Sequence, residues 1–428
     1  MTEVRTADGA RARASFDRPR LHIHPERGWL NDPNGLCRID GTYHVFFQYN
    51  PAAPVHDDIH WGHVSSTDLL NWTTTSIALA PTPAGPDEGG CWSGCIVDDD
   101  GVPTAVYTGV RADAQDAGVT LSRSDRSLER WIGDQEWRIG TPDDPAITEV
   151  RDPFVFDYQG HRYAVQGAGS LGGSPQLLLY GCDDLTDWNY LGPLLTTDDP
   201  IAATVGQAAI WECPSLFRLG ESWVLLLSLW RDGVLSGVRY LVGDLVAQAV
   251  GLRFLPQFGG TLDSGPTFYA PQALVEPDRV LLWGWAWEGA ERTPAEITSA
   301  GWCGTLTSPR EVVLSDHAVR LEPATELTRL RRESLHYHSG AALAIPSFEA
   351  STANGLRLLL VDPSTGERKT VAESDGRSRL LVDGSLIELF GPGPSHTTRA
   401  YPGIDRHWVI ESAGAIEVWR LGLPIDQP

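Results

Sequence analysis

A unit of about 60 residues recurs five times along this chain, and a period of that length built from strand-forming residues leaves few folds open. The units open at Asp32 (DPNGLCRIDGTYHVFFQYN), Trp92 (WSGCIVDDDGVPTAVYTGV), Asp152 (DPFVFDYQGHRYAVQGAG), Cys213 (CPSLFRLGESWVLLLSL) and Ala270 (APQALVEPDRVLLWGWAW), so successive starts lie 60, 60, 61 and 57 residues apart. Each carries a short apolar strand, a Gly or Asp turn and a second strand rich in Val, Leu, Trp and Tyr. Asp40-Gly41 and Gln159-Gly160 sit between such runs, as hairpin turns do. A second feature keeps the same beat: Trp72, Trp131 and Trp188 fall 40, 39 and 36 residues after the starts of their units. One unit therefore holds a hairpin plus further strands, which is what a four-stranded propeller blade requires. The expected fold is all-β, a five-bladed β-propeller followed by a short C-terminal β-sandwich. The expected divisions are an extension over residues 1–20, a propeller domain over 21–322 and the sandwich over 323–428. A pair of ordinary sandwiches fits the repeat less well.

Charge narrows the partners. Against 33 basic residues stand 56 acidic ones, a formal net charge of −23, and such a surface repels phosphate backbones and anionic membranes. No stretch approaches the roughly 18 to 20 apolar residues of a membrane span. The segment MTEVRTADGARARASFDRPR lacks the apolar region of a signal peptide. A cytoplasmic protein without nucleic-acid or membrane partners is expected, with homo-oligomer formation left open. The six cysteines are too scattered for a disulfide framework, and Cys91 and Cys95 lack the second ligand pair of a structural zinc site. His60 and His63 flank Trp61 without a carboxylate at ligand spacing, so no metal is expected. Gly167-Ala168-Gly169-Ser170-Leu171-Gly172 matches the dinucleotide fingerprint, but the strand-like QLLLY follows where that motif needs a helix. No organic cofactor is expected.

Radial repetition brings equivalent positions of different units to one central channel. Asp32 opens the first unit, Asp152 the third, and Glu212 directly precedes the fourth. Carboxylates that converge repel and desolvate one another, which costs stability unless chemistry needs them. A pair of carboxyl groups is what glycoside cleavage uses.

WLNDPNG, RDP and WECP, in this order, resemble glycoside hydrolase family 32, the invertases, fructanases and related β-fructofuranosidases. FFQYNP, WGHVSSTDLLNW, CWSGC, SGPTFYAPQ, GWCGTLTSPREV and LLVDGSLIELF extend the resemblance from about His24 to beyond residue 400. The resemblance implies a five-bladed propeller with a β-sandwich and a retaining hydrolase of sucrose or short fructooligosaccharides. It implies Asp32 as nucleophile, Glu212 as acid/base and Asp152 as transition-state stabiliser, helped by Arg151, whose charge would also keep the nucleophile ionised. Apolar Trp211 beside Glu212 would favour the protonated acid. Asn31, Gln48, Trp61, Trp92 and Ser93 would contact the terminal fructose, with Asp263 and Trp285 at the pocket edge. Three departures stand out. Cys95 replaces a common Ser and Thr267 an acidic residue, changes expected to alter the leaving-group side, and Gly384 stands where Arg is usual. The sandwich is short for the family, which suggests missing strands or support from a partner subunit. Other readings are a hydrolase of phosphorylated sucrose, which the acidic chain and its single lysine make less attractive, a fructosyltransferase, a levan or inulin hydrolase, a sugar sensor without catalysis and an inverting hydrolase of arabinosides or xylosides.

Overall fold

The computed structural model describes residues 16–112, 116–315 and 317–424. Among these residues five sheets, antiparallel but for one closing pair, lie along 28–323, and two more come from 331–421. The first strands of the five sheets are Gly28–Ile39, Gly90–Asp99, Ile147–Tyr158, Ile210–Leu219 and Phe268–Val275. They touch one another in cyclic order, the last returning to the first. Trp302–Cys303, from the far end of this region, pairs in parallel with Gly28 and Trp29 and so ties the last sheet to the first. The 60-residue period is thus one sheet per unit.

Local chemistry explains the beat. Asp40 and Gly41 both have positive φ, as do Gln159 and Gly160, and each pair forms a two-residue hairpin turn whose twist matches the flanking strands. The recurrent tryptophan marks the link between third and fourth strands. There Asp68, Asp125 and Asp184 each accept the backbone N–H two residues on, an Asx turn. The Trp131 and Trp188 indoles then donate back to the carbonyls of Leu128 and Leu185. Gly167 and Gly169 of the false dinucleotide motif serve packing between sheets. A Cβ on Gly167 would lie 1.6 Å from the Trp211 carbonyl oxygen of the next inner strand, so only glycine permits that approach.

Residues 331–421 form sheets of six and four strands around Phe348, Leu358, Leu380, Ile387, Trp408 and Val418. The segment leading into the first sheet packs here: a Cβ on Gly384 would lie 2.5 Å from the Asp17 carbonyl oxygen. Asp383 accepts the N–H groups of Arg20 and Leu21.

A buried ionic network joins that segment, the sheet ring and the six-stranded sheet. Each ring nitrogen of His22 meets a carboxylate, Asp383 at 2.8 Å and Glu388 at 2.9 Å. Burial alone would lower the pKa of His22, but these two partners raise it to about 9. Glu388, buried yet facing Arg310 and His22, falls to about 2. Arg310 also binds Asp263 at 3.0 Å, with neither side chain exposed.

Asp263 is therefore not at a pocket edge. Its carboxylate accepts from Arg310, Ser395, Thr397 and Gly265 and is spent on holding the two regions together. Removing one member of a buried pair strands the other charge, typically at about 3–5 kcal/mol. Asp263→Ala is expected to lower unfolding free energy by about that amount in urea titration, while the folded fraction keeps its KM for sugar. A raised KM with unchanged stability would restore the pocket-edge role.

Candidate active site

All five inner strands break register at the same level, and there the functional side chains emerge. In the first, Asn31 and Asp32 oppose the single residue Gln48. In the second, Trp92 and Ser93 oppose Thr108. Asp152 and Pro153 oppose Gln166, Cys213 and Pro214 oppose Leu227, and Ala270 and Pro271 oppose Gly284. Two residues against one is a β-bulge, which re-aims side chains out of the strand alternation. Proline suits it, because a bulge residue makes no ladder bond. Asp152, Cys213 and Ala270 carry φ of 61°, 46° and 46°, a strained region for non-glycine residues. Neighbouring sheets brace the strain: Asp152 N–H donates to Thr108 Oγ1 at 2.9 Å, and Ala270 N–H to Ser228 Oγ at 3.1 Å.

The bulges ring the floor of a cavity of about 760 Å³ lined by Asp32, Asp152 and Glu212 together. Asp32 Oδ2 accepts from Ser93 Oγ at 2.7 Å and Gln48 Nε2 at 3.2 Å. The Cys213 thiol lies 3.5 Å from both Asp32 Oδ2 and Asp152 Oδ2, and Cys213 N–H donates to Asp152 at 2.9 Å. Glu212 is held on both oxygens, by Arg151 Nε at 2.9 Å and Tyr269 Oη at 2.6 Å. Arg151, Glu212 and Tyr269 each directly precede a bulge on three successive strands, so register alone sets them side by side.

Burial, with Asp152 alongside, pushes the Asp32 carboxyl up to about 7. Burial and the Glu212 carboxylate push Asp152 up to about 6, against the pull of Arg151 and the Cys213 N–H. Asp32 and Asp152 thus keep their protons to higher pH than ordinary carboxyl groups, the mark of acids brought together out of water.

Of the residues singled out in the sequence, Asn31, Asp32, Gln48, Trp92, Arg151, Asp152, Glu212 and Trp285 line this cavity, and Ser93 touches it through Asp32. Trp61 does not. It is fully buried between Phe46 and Tyr107 and donates to the Trp92 carbonyl, so it supports the pocket wall from behind. Trp211 is likewise buried and donates to Gly206 O, away from the cavity. Arg151 serves Glu212 and Glu149 rather than the nucleophile candidate, whose donors are neutral. Cys95 accepts Val155 N–H between sheets, and Thr267 donates to Thr397 O near the sandwich, and neither lines the cavity. Sequence reading missed Tyr269, Glu149, Trp29, Trp230, Trp287 and His56. Tyr269 had a signal: it precedes Ala270-Pro271 as Glu212 precedes Cys213-Pro214. Five of the chain's 16 tryptophans (29, 92, 230, 285 and 287) line this one cavity, and flat apolar walls suit sugar faces. A larger groove of about 940 Å³ on the sandwich is lined by Glu373, Asp375 and Glu411, but Arg357 pairs with the first and last of these and no tryptophan lines it.

Three converging carboxyl groups beneath tryptophan walls, at the hub of a ring of β-sheets, are the architecture of a glycoside-cleaving enzyme. Residues 22–323 match the model of the family described as Glycosyl hydrolases family 32 N-terminal domain, and the chain belongs to glycoside hydrolase family 32. It is 34% identical over 334 residues to a raffinose invertase of Escherichia coli, covering 74% of this chain and 66% of that one. With a sucrose-6-phosphate hydrolase of Klebsiella pneumoniae it shares 30% over 441 residues, covering 94% and 92%. The matches span just under two thirds of the length of the first curated relatives. Among solved structures, a Bombyx mori GH32 β-fructofuranosidase variant in complex with sucrose superposes with a TM-score of 0.79 at 26% identity, covering 99% of this chain and 98% of that one. A fructan 1-exohydrolase from Cichorium intybus shares the fold with a TM-score of 0.79 at 21% identity, covering 95% and 98%.

Proposed function

We propose that this protein is a retaining β-fructofuranosidase that releases terminal fructose from sucrose or short fructooligosaccharides. The observation that carries the proposal is the shared cavity: Asp32 and Glu212 arise from different sheets yet line one tryptophan-walled space. Asp32, positioned by Ser93 and Gln48, attacks C2 of the fructosyl unit. Glu212 delivers its proton to the departing oxygen, then takes one from water. Asp152, fixed by the Cys213 N–H, holds fructose hydroxyls as positive charge develops on the ring. Two displacements at one carbon retain configuration, for which the acids need to stand roughly 5 to 5.5 Å apart. In this reading the five sheets are the five blades of a propeller over residues 21–322, and residues 323–428 are the sandwich domain. A cytoplasmic setting accords with six cysteines that are all unpaired.

A panel of sucrose, kestose, inulin and levan tests the proposal. Fructose should appear from sucrose and kestose, with β configuration in the first-formed sugar by NMR. No fructose from any of them contradicts it, and oligosaccharide growth at high sucrose would favour transfer instead.

A further inference from the structure

The similarity to enzymes named for a phosphorylated disaccharide makes the charge of this pocket decisive. Four carboxylates line the cavity, Asp32, Glu149, Asp152 and Glu212, against one permanent cation, Arg151. Arg151 is already engaged on two sides. Its Nε donates to Glu212 at 2.9 Å and its Nη1 to Glu149 at 2.7 Å, with 12% of its side chain exposed. His56 supplies no second cation, because burial lowers its pKa. Arg231 follows Trp230 on its strand, so its side chain leaves the face opposite the pocket wall. The blade-four hairpin adds Trp230, Val234 and Leu235, and Trp287 faces them from the next blade, a wall with no cationic side chain to meet a phosphate. Ordinary phosphate sites present free guanidinium or ammonium groups or a helix N-terminus. The cavity lining contains neither.

We infer that this pocket selects neutral fructosides and rejects those phosphorylated on the leaving sugar, with Glu149 enforcing the rejection by occupying Arg151. This rests on the fructosidase reading above. With Glu212 carrying the proton it delivers, three carboxylates and one guanidinium leave the reacting form of the pocket a net charge of −2. At about 8 Å in water, each net negative charge disfavours a phosphate dianion about fivefold, so two amount to about 25-fold. Glu149 is half exposed at the mouth, where added salt reaches it.

The experiment compares kcat/KM for sucrose and sucrose-6-phosphate at pH 8. The unaltered protein should prefer sucrose by about 25-fold at low salt, and the ratio should shrink as salt screens the repulsion. Glu149→Gln removes one charge and frees Arg151, so the ratio should narrow five- to tenfold, whereas Glu149→Asp should keep it. The ratio is read within each variant, so a general loss of activity does not mimic the effect. Equal or better use of the phosphorylated sugar by the unaltered protein overturns the inference. A ratio unmoved by Glu149→Gln overturns the role of that residue. Fructose from neither substrate overturns the fructosidase reading instead.

Discussion

Asp32→Asn is expected to lower kcat on sucrose by about 10⁴-fold or more, because an amide cannot take the place of the attacking carboxylate. The amide keeps the size of the side chain and its bond from Ser93, so the fold should persist. Stability should in fact rise, and its pH dependence identifies the cause. Asp32 has a folded-state pKa of about 7 against an ordinary 3.8. Below about pH 4 the group is protonated whether the chain is folded or not, and it costs nothing. Between 4 and 7 the unfolded chain releases this proton while the folded one retains it, so stability falls as pH rises. Asp32 keeps partial exposure to the cavity, so the full shift is discounted to about 1–3 kcal/mol. The thermal midpoint of Asp32→Asn should therefore exceed that of the unaltered protein at pH 8 and match it near pH 4. A midpoint lower at pH 8 would mean that the carboxylate stabilises the fold and carries no strain of convergence.

Glu212→Gln should be the second large loss, about 10²- to 10⁴-fold in kcat for sucrose. Its signature differs from that of Asp32→Asn. A substrate whose leaving group needs no proton should regain most of the first step, and azide, which attacks without a general base, should accelerate the second and yield a fructosyl azide. Azide rescue of Asp32→Asn with the same retained product would reverse the two assignments.

The ring of sheets was legible because its determinants are local. Asp40-Gly41, Gln159-Gly160 and the Asx turns before Trp72, Trp131 and Trp188 each act within a few residues, and a period exposes them. The carboxylates were legible for the same reason, since equivalent positions of a ring converge. Partnerships across the ring were not. A bulge shifts register by one residue, so Arg151 meets Glu212 instead of Asp32, and Tyr269 enters unannounced. Asp263 and Trp61 sit in segments that resemble site motifs, yet burial sends one to Arg310 and the other behind Trp92. The network from His22 to Asp263 links positions hundreds of residues apart, beyond any pattern of spacing.

The central claim is that Asp32 forms a bond to fructose while Glu212 manages the protons. Peptide mass mapping of Glu212→Gln, quenched during turnover of an activated β-fructofuranoside, tests it most directly. The account predicts one added anhydrohexose on the peptide containing Asp32, lost on incubation with azide. An adduct on another residue, or first-formed fructose of inverted configuration with no adduct, would contradict it.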